Sequence, residues 1–203
     1  MMKYFDRTRT ALLVIDYQNY GVHPEGYWAK RLPEVATQLA ASGAVENTAR
    51  VVAAARSKGL RVIHVGTAWR EGSPDMNVSA PGLASYRDRS IEGSWGADFY
   101  APVKPDAGEI IIWKRGISAL SGTELDRLLR LYDINTLILS GVVTNFAIEA
   151  TAFEAFDRGY RVVVLRDCCL SVTDLEHEHS IKYVLSQIST VITADEFIQS
   201  LAD

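Results

Sequence analysis

The chain has two cysteines in 203 residues, Cys168 and Cys169, and they are neighbours. Adjacent residues close a disulfide only under severe strain, so no covalent staple is expected and a reducing, cytoplasmic setting is the plain reading. No apolar run approaches the roughly 18 residues that read as a membrane-spanning helix. The opening MMKYFDRTRT lacks the apolar stretch of a secretory signal. Positive charge is not in excess: 21 Lys and Arg against 25 Asp and Glu leave a net charge of −4, with no basic footprint for nucleic acid or an acidic membrane surface. The Gly-Ser-Trp-Gly at 93–96 is not a G-x-G-x-x-G, and no such fingerprint occurs elsewhere, so dinucleotide binding has no support and no cofactor is expected. Internal repeats and a domain linker are absent as well.

What remains is an ordinary soluble composition, 48% hydrophobic and 23% charged, enough for one core and one domain over residues 1–203. Apolar runs and helical patterns alternate along it. TALLVI (10–15), LRVIHV (60–65), EIIIW (109–113), TLIL (136–139), YRVVVL (160–165) and the short run at 190–193 read as strands. Helical spacing covers 32–58, broken near Ser42-Gly43, then 121–132 with Ser121 as cap, 147–158, 174–186 and 195–201. Residues 66–108 are irregular and rich in Gly, Pro, Ser and aromatics, which suits a binding loop. This order predicts a three-layer α/β/α, Rossmann-like sandwich with a six-stranded, mainly parallel sheet. In such sheets ligands bind beyond the carboxyl ends of the strands.

Two charged residues stand at those ends. Asp16 directly follows TALLVI, where a carboxylate is either a general acid/base or a cap for the next turn. Lys114 directly follows EIIIW, where a lone lysine is commonly a solvated strand end. The third feature is SGVVTNFAIEAT (140–151), a strand–turn–helix junction whose backbone N–H groups point at one spot and can receive an oxyanion. A nucleophile at 147 would sit there with its pKa lowered by the helix N-terminus. The residue at 147 is alanine. An acid, a cation and an N–H pocket converging on one sheet edge is still the combination that an active site needs.

VIDYQN, IIWKRGISALSGTELD and SGVVTNFAIEATAFEAFDRGYRVVVLRDCC together resemble the isochorismatase-like superfamily, the cysteine hydrolases. The group includes isochorismatases, nicotinamidases, N-carbamoylsarcosine amidohydrolases and ureide or biuret hydrolases, and the resemblance runs from about residue 10 to 193. It implies an Asp–Lys–Cys triad at Asp16, Lys114 and position 147. It also implies a cis peptide between Val142 and Val143 that turns the Val143 N–H toward that of residue 147, the two forming the oxyanion hole. Hydrolysis of a small amide or ureide would follow, in a dimer or tetramer, with a small molecule as substrate.

Ala147 departs from that pattern, since a methyl group cannot act as a nucleophile. Neither Cys168 nor Cys169 replaces it; both read as inert packing. Three readings stand: a catalytic cysteine deliberately replaced, a natural thiol-free enzyme that uses Asp16 as general acid on a vinyl ether, or an inactive small-molecule binding protein. Tyr17, Asn19, Trp69, Arg70 and Trp95 are the candidate substrate contacts, the aromatics for stacking and Arg70 for a carboxylate. Nicotinamidase-type members hold a metal through an Asp and His set after the second strand. HVGTAWREGSPD has no Asp-x-His cluster, so no metal is expected. His64 reads as a core residue, His23 as a loop residue, and His177 and His179, two apart on a helix, as solvated.

Overall fold

In a computed structural model, which describes residues 6–77, 79 and 87–202, all six apolar runs are strands. They are β1 (Thr10–Ile15), β2 (Arg61–Thr67), β3 (Ile110–Lys114), β4 (Thr136–Val142), β5 (Arg161–Leu170) and β6 (Thr190–Ile192). They form one sheet in the order β3-β2-β1-β4-β5-β6, and every neighbouring pair is parallel. Runs this short and β-branched suit strands buried on both faces, and parallel neighbours require the helical crossovers that cover those faces.

One face is covered by α4 (Ala44–Ser57) and the C-terminal helix Ala194–Ala202, with Val51, Val52 and Phe197 packed on Leu12, Val14 and Ile138. Before α4 come two short helices, α1 (Asn19–Val22) and α2 (Tyr27–Arg31), and then α3 (Pro33–Ala41). The break expected near Ser42-Gly43 falls between α3 and α4. Gly43 there has φ +64°, a left-handed conformation that glycine adopts without a Cβ penalty. The opposite face carries α5 (Leu125–Leu131) and α6 (Glu149–Asp157), with Leu125, Leu129, Ala152 and Ala155 against Leu13, Ile15 and Leu139. The helix α7 (Asp174–His179) starts at a capping box between Thr173 and Glu176 and continues through a wide turn, Ser180–Leu185.

Three expectations need correction. The helix at 121–132 begins at Leu125 and is not capped by Ser121. Glu124 is the N-cap and makes no side-chain cap bond, while Thr123 Oγ1, one place earlier, donates to Ala119 O and accepts the Leu125 N–H. Strands β2, β4 and β5 each run past their apolar stretch, to Thr67, Val142 and Leu170, so Cys168 and Cys169 lie within β5 rather than after it. Both are buried, and burial pushes the Cys169 thiol up to about 12 and Cys168 well above its ordinary value. Of the irregular stretch 66–108, residues 78 and 80–86 lie outside the described residues. No helix among the described residues is long and apolar enough to cross a membrane.

Candidate active site

The strand order reverses at β1, with β2 and β3 added on one side and β4 to β6 on the other. The crevice at the carboxyl ends of β1 and β4 is therefore the switch point where such sheets bind ligands. Asp16 is the first residue past β1, and its N–H makes the last rung, to Val65 O at 2.8 Å. Strand alternation would send its side chain to the face of Val14, under α4. Instead Asp16 has φ +56° and reaches the face of Ile15 and Ile112. A non-glycine residue in this region costs of order 1 kcal/mol or more, and such strain collects at functional sites. The same bend drives Tyr17 into the α4 face.

Lys114 ends β3 and pairs in register with Thr67, the last residue of β2. Its ammonium has three N–H groups and three acceptors: Asp16 Oδ2 at 2.8 Å, Thr67 Oγ1 at 2.8 Å and Gly116 O at 3.1 Å. Because an ammonium only donates, the Thr67 hydroxyl is free to give its own hydrogen to Asp16 Oδ1, at 3.0 Å. Each Asp16 oxygen thus accepts one hydrogen bond, and the side chains of Lys114 and Asp16 are only 3% and 6% exposed. A buried pair of this kind is held by geometry. Its desolvation cost is offset only when the remaining donors and acceptors are satisfied, as they are here.

Position 147 follows the strand on the other side of β1. In the register of β1 on β4, Ile15 faces Gly141, so the two strands end side by side. Gly141 is required there: a Cβ would meet Ile15 O at 2.5 Å and Ile15 Cβ at 2.8 Å. The Val142–Val143 peptide is cis. A wide helical turn, Thr144–Ile148, follows, with Val143 O accepting the Phe146 and Ile148 N–H groups. Ala147, in this turn, is buried. Thr151 and Glu154, one and two turns further on, grip the loop after Lys114. Thr151 Oγ1 accepts the Ala119 N–H at 3.0 Å, and Ser118 Oγ donates to Glu154 Oε2. The K-x-x-x-S-A spacing thus has a physical cause, since Lys114 and its loop are pinned to the helix that follows 147.

Of the other candidates, Tyr17 is not brought to the site. It is fully buried, its hydroxyl donates toward Ala44 O and Cys168 O, and it accepts from Thr48 Oγ1 at 3.0 Å. Asn19 Nδ2 donates to Trp95 O at 3.0 Å, and Trp95, 51% exposed, meets the His23 ring edge-on at 5.0 Å. These three make one loop cluster. Trp69 follows Thr67 by two residues with its ring buried, its indole N–H unpaired and its backbone bridged to Ile91. Arg70 is exposed, and its backbone N–H donates to Asp75 Oδ1.

The histidines divide. His64 is fully buried, 3.2 Å from Glu109 Oε2, and burial holds its pKa down at about 4. His179 is exposed beside Tyr183. His177 is not solvated as expected: its Nδ1 lies 2.8 Å from Thr144 Oγ1, and burial lowers its pKa. With Ser171 Oγ donating to Asn145 Oδ1 at 2.9 Å, it anchors the turn that carries residue 147. Neither Thr67 nor Gln18 is singled out by the sequence. A polar residue two places after an apolar strand, as Thr67 is, is the one available signal.

Residues 10–196 match the family model described as the Isochorismatase domain. The chain belongs to the isochorismatase family. It is 29% identical over 209 residues to ureidoacrylate amidohydrolase RutB of Variovorax paradoxus, covering 95% of this chain and 81% of that protein. It is 30% identical over 194 residues to maleamate amidohydrolase of Pseudomonas putida, covering 95% and 87%. The solved structure of N-carbamoylsarcosine amidase from Thermoplasma acidophilum superposes with a TM-score of 0.72 at 27% identity, covering 92% of this chain and 97% of that one. The chain is thus an isochorismatase-family hydrolase with the family's α/β fold, and its similar proteins include amidohydrolases.

Proposed function

We propose that this isochorismatase-family site cleaves the C–N bond of a small amide or ureide. Asp16 is the acid/base, Lys114 its electrostatic partner, the Val143 and residue-147 amides the oxyanion hole, and position 147 the place of the nucleophile. The observation that carries the reading is the buried Lys114–Asp16 contact, with both carboxylate oxygens accepting hydrogen bonds. Two donors aimed at one carboxylate suit a proton acceptor, whereas the vinyl ether alternative would use Asp16 as a general acid.

With a thiol at 147, Asp16 takes the S–H proton and the sulfur bonds to the carbonyl carbon while the π pair moves onto oxygen. The two amides receive that oxyanion; one such donor is worth about 10²–10³ in rate. As the C–N bond breaks, Asp16 returns its proton to the leaving nitrogen. Water then attacks the thioester, again giving a proton to Asp16, which passes it to the departing sulfur. Ala147 removes the first bond-forming atom, so this chain keeps the binding and proton-handling half of the chemistry. Trp69, Arg70, Asn19 and Trp95 are the proposed substrate contacts, Tyr17 having no surface to offer. A cytoplasmic dimer or tetramer belongs to the same reading.

The test is turnover by this chain and by its Ala147→Cys variant on amides, ureides and isochorismate. Ammonia or amine released only by the variant supports the proposal. Turnover by the alanine chain with no gain from the thiol assigns the chemistry to Asp16 alone. Binding without turnover in both marks a small-molecule binding protein.

A further inference from the structure

Gln18 is fully buried and carries no charge; its backbone N–H donates to Asp16 O at 2.8 Å, and its side-chain amide is bonded at both its oxygen and its nitrogen. Its Oε1 accepts the Thr67 N–H at 2.7 Å, and its Nε2 donates to Thr67 O at 2.8 Å and to Ala97 O at 2.7 Å. Flipping the amide would set N–H against N–H and oxygen against two carbonyls, so its orientation is fixed by its partners. The position of this amide explains its use. Along β2 alternate residues turn their N–H and C=O toward β1, and Val65 O takes the last rung from Asp16. Two residues on, Thr67 presents its groups to the same edge, where β1 has already ended. The Gln18 side chain supplies the missing rung, and Ser90 Oγ adds a second donor to Thr67 O at 2.6 Å.

The residue locked in this way is the one whose hydroxyl joins Lys114 to Asp16. Thr67 Oγ1 accepts from Lys114 and donates to Asp16, so it fixes both partners and the direction of the hydrogen bonds between them. We infer that Thr67 and Gln18 are the positioning residues of this site: Thr67 aligns the Asp16–Lys114 pair and Gln18 aligns Thr67 by standing in for the next residue of β1. The inference rests on reading Asp16 and Lys114 as the pair that activates a group at 147.

The experiment needs no substrate. In the Ala147→Cys background, the rate at which iodoacetamide alkylates the introduced thiol reports its activation directly. Cys168 and Cys169, both buried, serve as the unreactive reference. Thr67→Val keeps the shape and loses the hydroxyl, Thr67→Ser keeps the hydroxyl, and Gln18→Met keeps the length and loses the amide. Loss of one hydrogen bond to a charged group predicts alkylation slower by about tenfold or more in Thr67→Val. Thr67→Ser should stay within about threefold of the parent, and Gln18→Met should fall as Thr67→Val does. Folded Thr67→Val reacting at the parent rate, or Thr67→Ser reacting as slowly as Thr67→Val, overturns the inference; if Gln18→Met does not fold, the Thr67 variants decide it. A parent thiol no more reactive than free cysteine overturns the inference together with the activating role of Asp16 and Lys114. Fast, Thr67-dependent alkylation without amide turnover would sink the proposed reaction and leave the positioning intact.

Discussion

Removing Lys114 should leave a buried carboxylate with one neutral donor. In Lys114→Met the chain of methylenes is nearly conserved, while Asp16 Oδ2 loses its ammonium and Thr67 Oγ1 loses its only charged donor. Breaking one side of a buried ion pair costs about 3–5 kcal/mol, a large share of the roughly 5–15 kcal/mol that stabilises a domain. At roughly 2–4 °C per kcal/mol for a chain of this size, the melting temperature should fall by about 10 °C. Asp16→Asn is milder, about 1–3 kcal/mol, because the amide oxygen still accepts from Lys114 or Thr67. The double variant, with no net charge left in the site, should cost about 2 kcal/mol less than the sum of the two singles. Urea unfolding of the four proteins at pH 7 closes this cycle. Additivity within about 0.5 kcal/mol would refute the claim that the two side chains act as one buried unit.

His64 supplies a pH signature. Its folded pKa of about 4 lies below the ordinary value near 6.5, so only the unfolded chain gains a proton as pH falls between them. Its contribution is therefore complete above about pH 6.5 and is lost toward pH 4, in total about 3 kcal/mol, and His64→Leu should flatten that part of the urea midpoint against pH. Tyr17→Phe should cost about 1–3 kcal/mol, because Ala44 O, Cys168 O and Thr48 lose a buried partner, while KM for any substrate stays unchanged. Gly141→Ala puts a Cβ against Ile15 O and should cost about 1–3 kcal/mol by thermal melting, and it should also reduce turnover in the Ala147→Cys background as the β1–β4 seam opens.

The apolar bodies of the strands, their alternation with helices and the break at Gly43 were legible, because burial on both faces writes continuous runs into the sequence. Their carboxyl ends were not. Gly66-Thr67 and Ser140-Gly141 interrupt the apolar pattern, yet the β2–β3 and β1–β4 ladders continue through them, while at Arg166-Asp167 the β4–β5 register shifts and resumes at Cys169. Polar and small residues stand at the edge where Asp16 and Lys114 also lie, so the hydrophobic signal fades there. Asp16 and Lys114 were visible as charges after strands, but Tyr17 was misassigned: φ +56° at Asp16 exchanges the faces that strand alternation would give the two residues. Gln18 and Thr67 carry no charge, and His177 reaches Thr144 across 33 residues of chain. No local pattern encodes such contacts.

The most direct test of the central claim is a rapid acid quench of Ala147→Cys mixed with an amide or ureide that it turns over, read by mass spectrometry of the peptide holding position 147. The account predicts an acyl adduct on that peptide within the first turnover, absent from the alanine chain and depleted by Asp16→Asn. Repeated turnover with that peptide unmodified at every time point would contradict it.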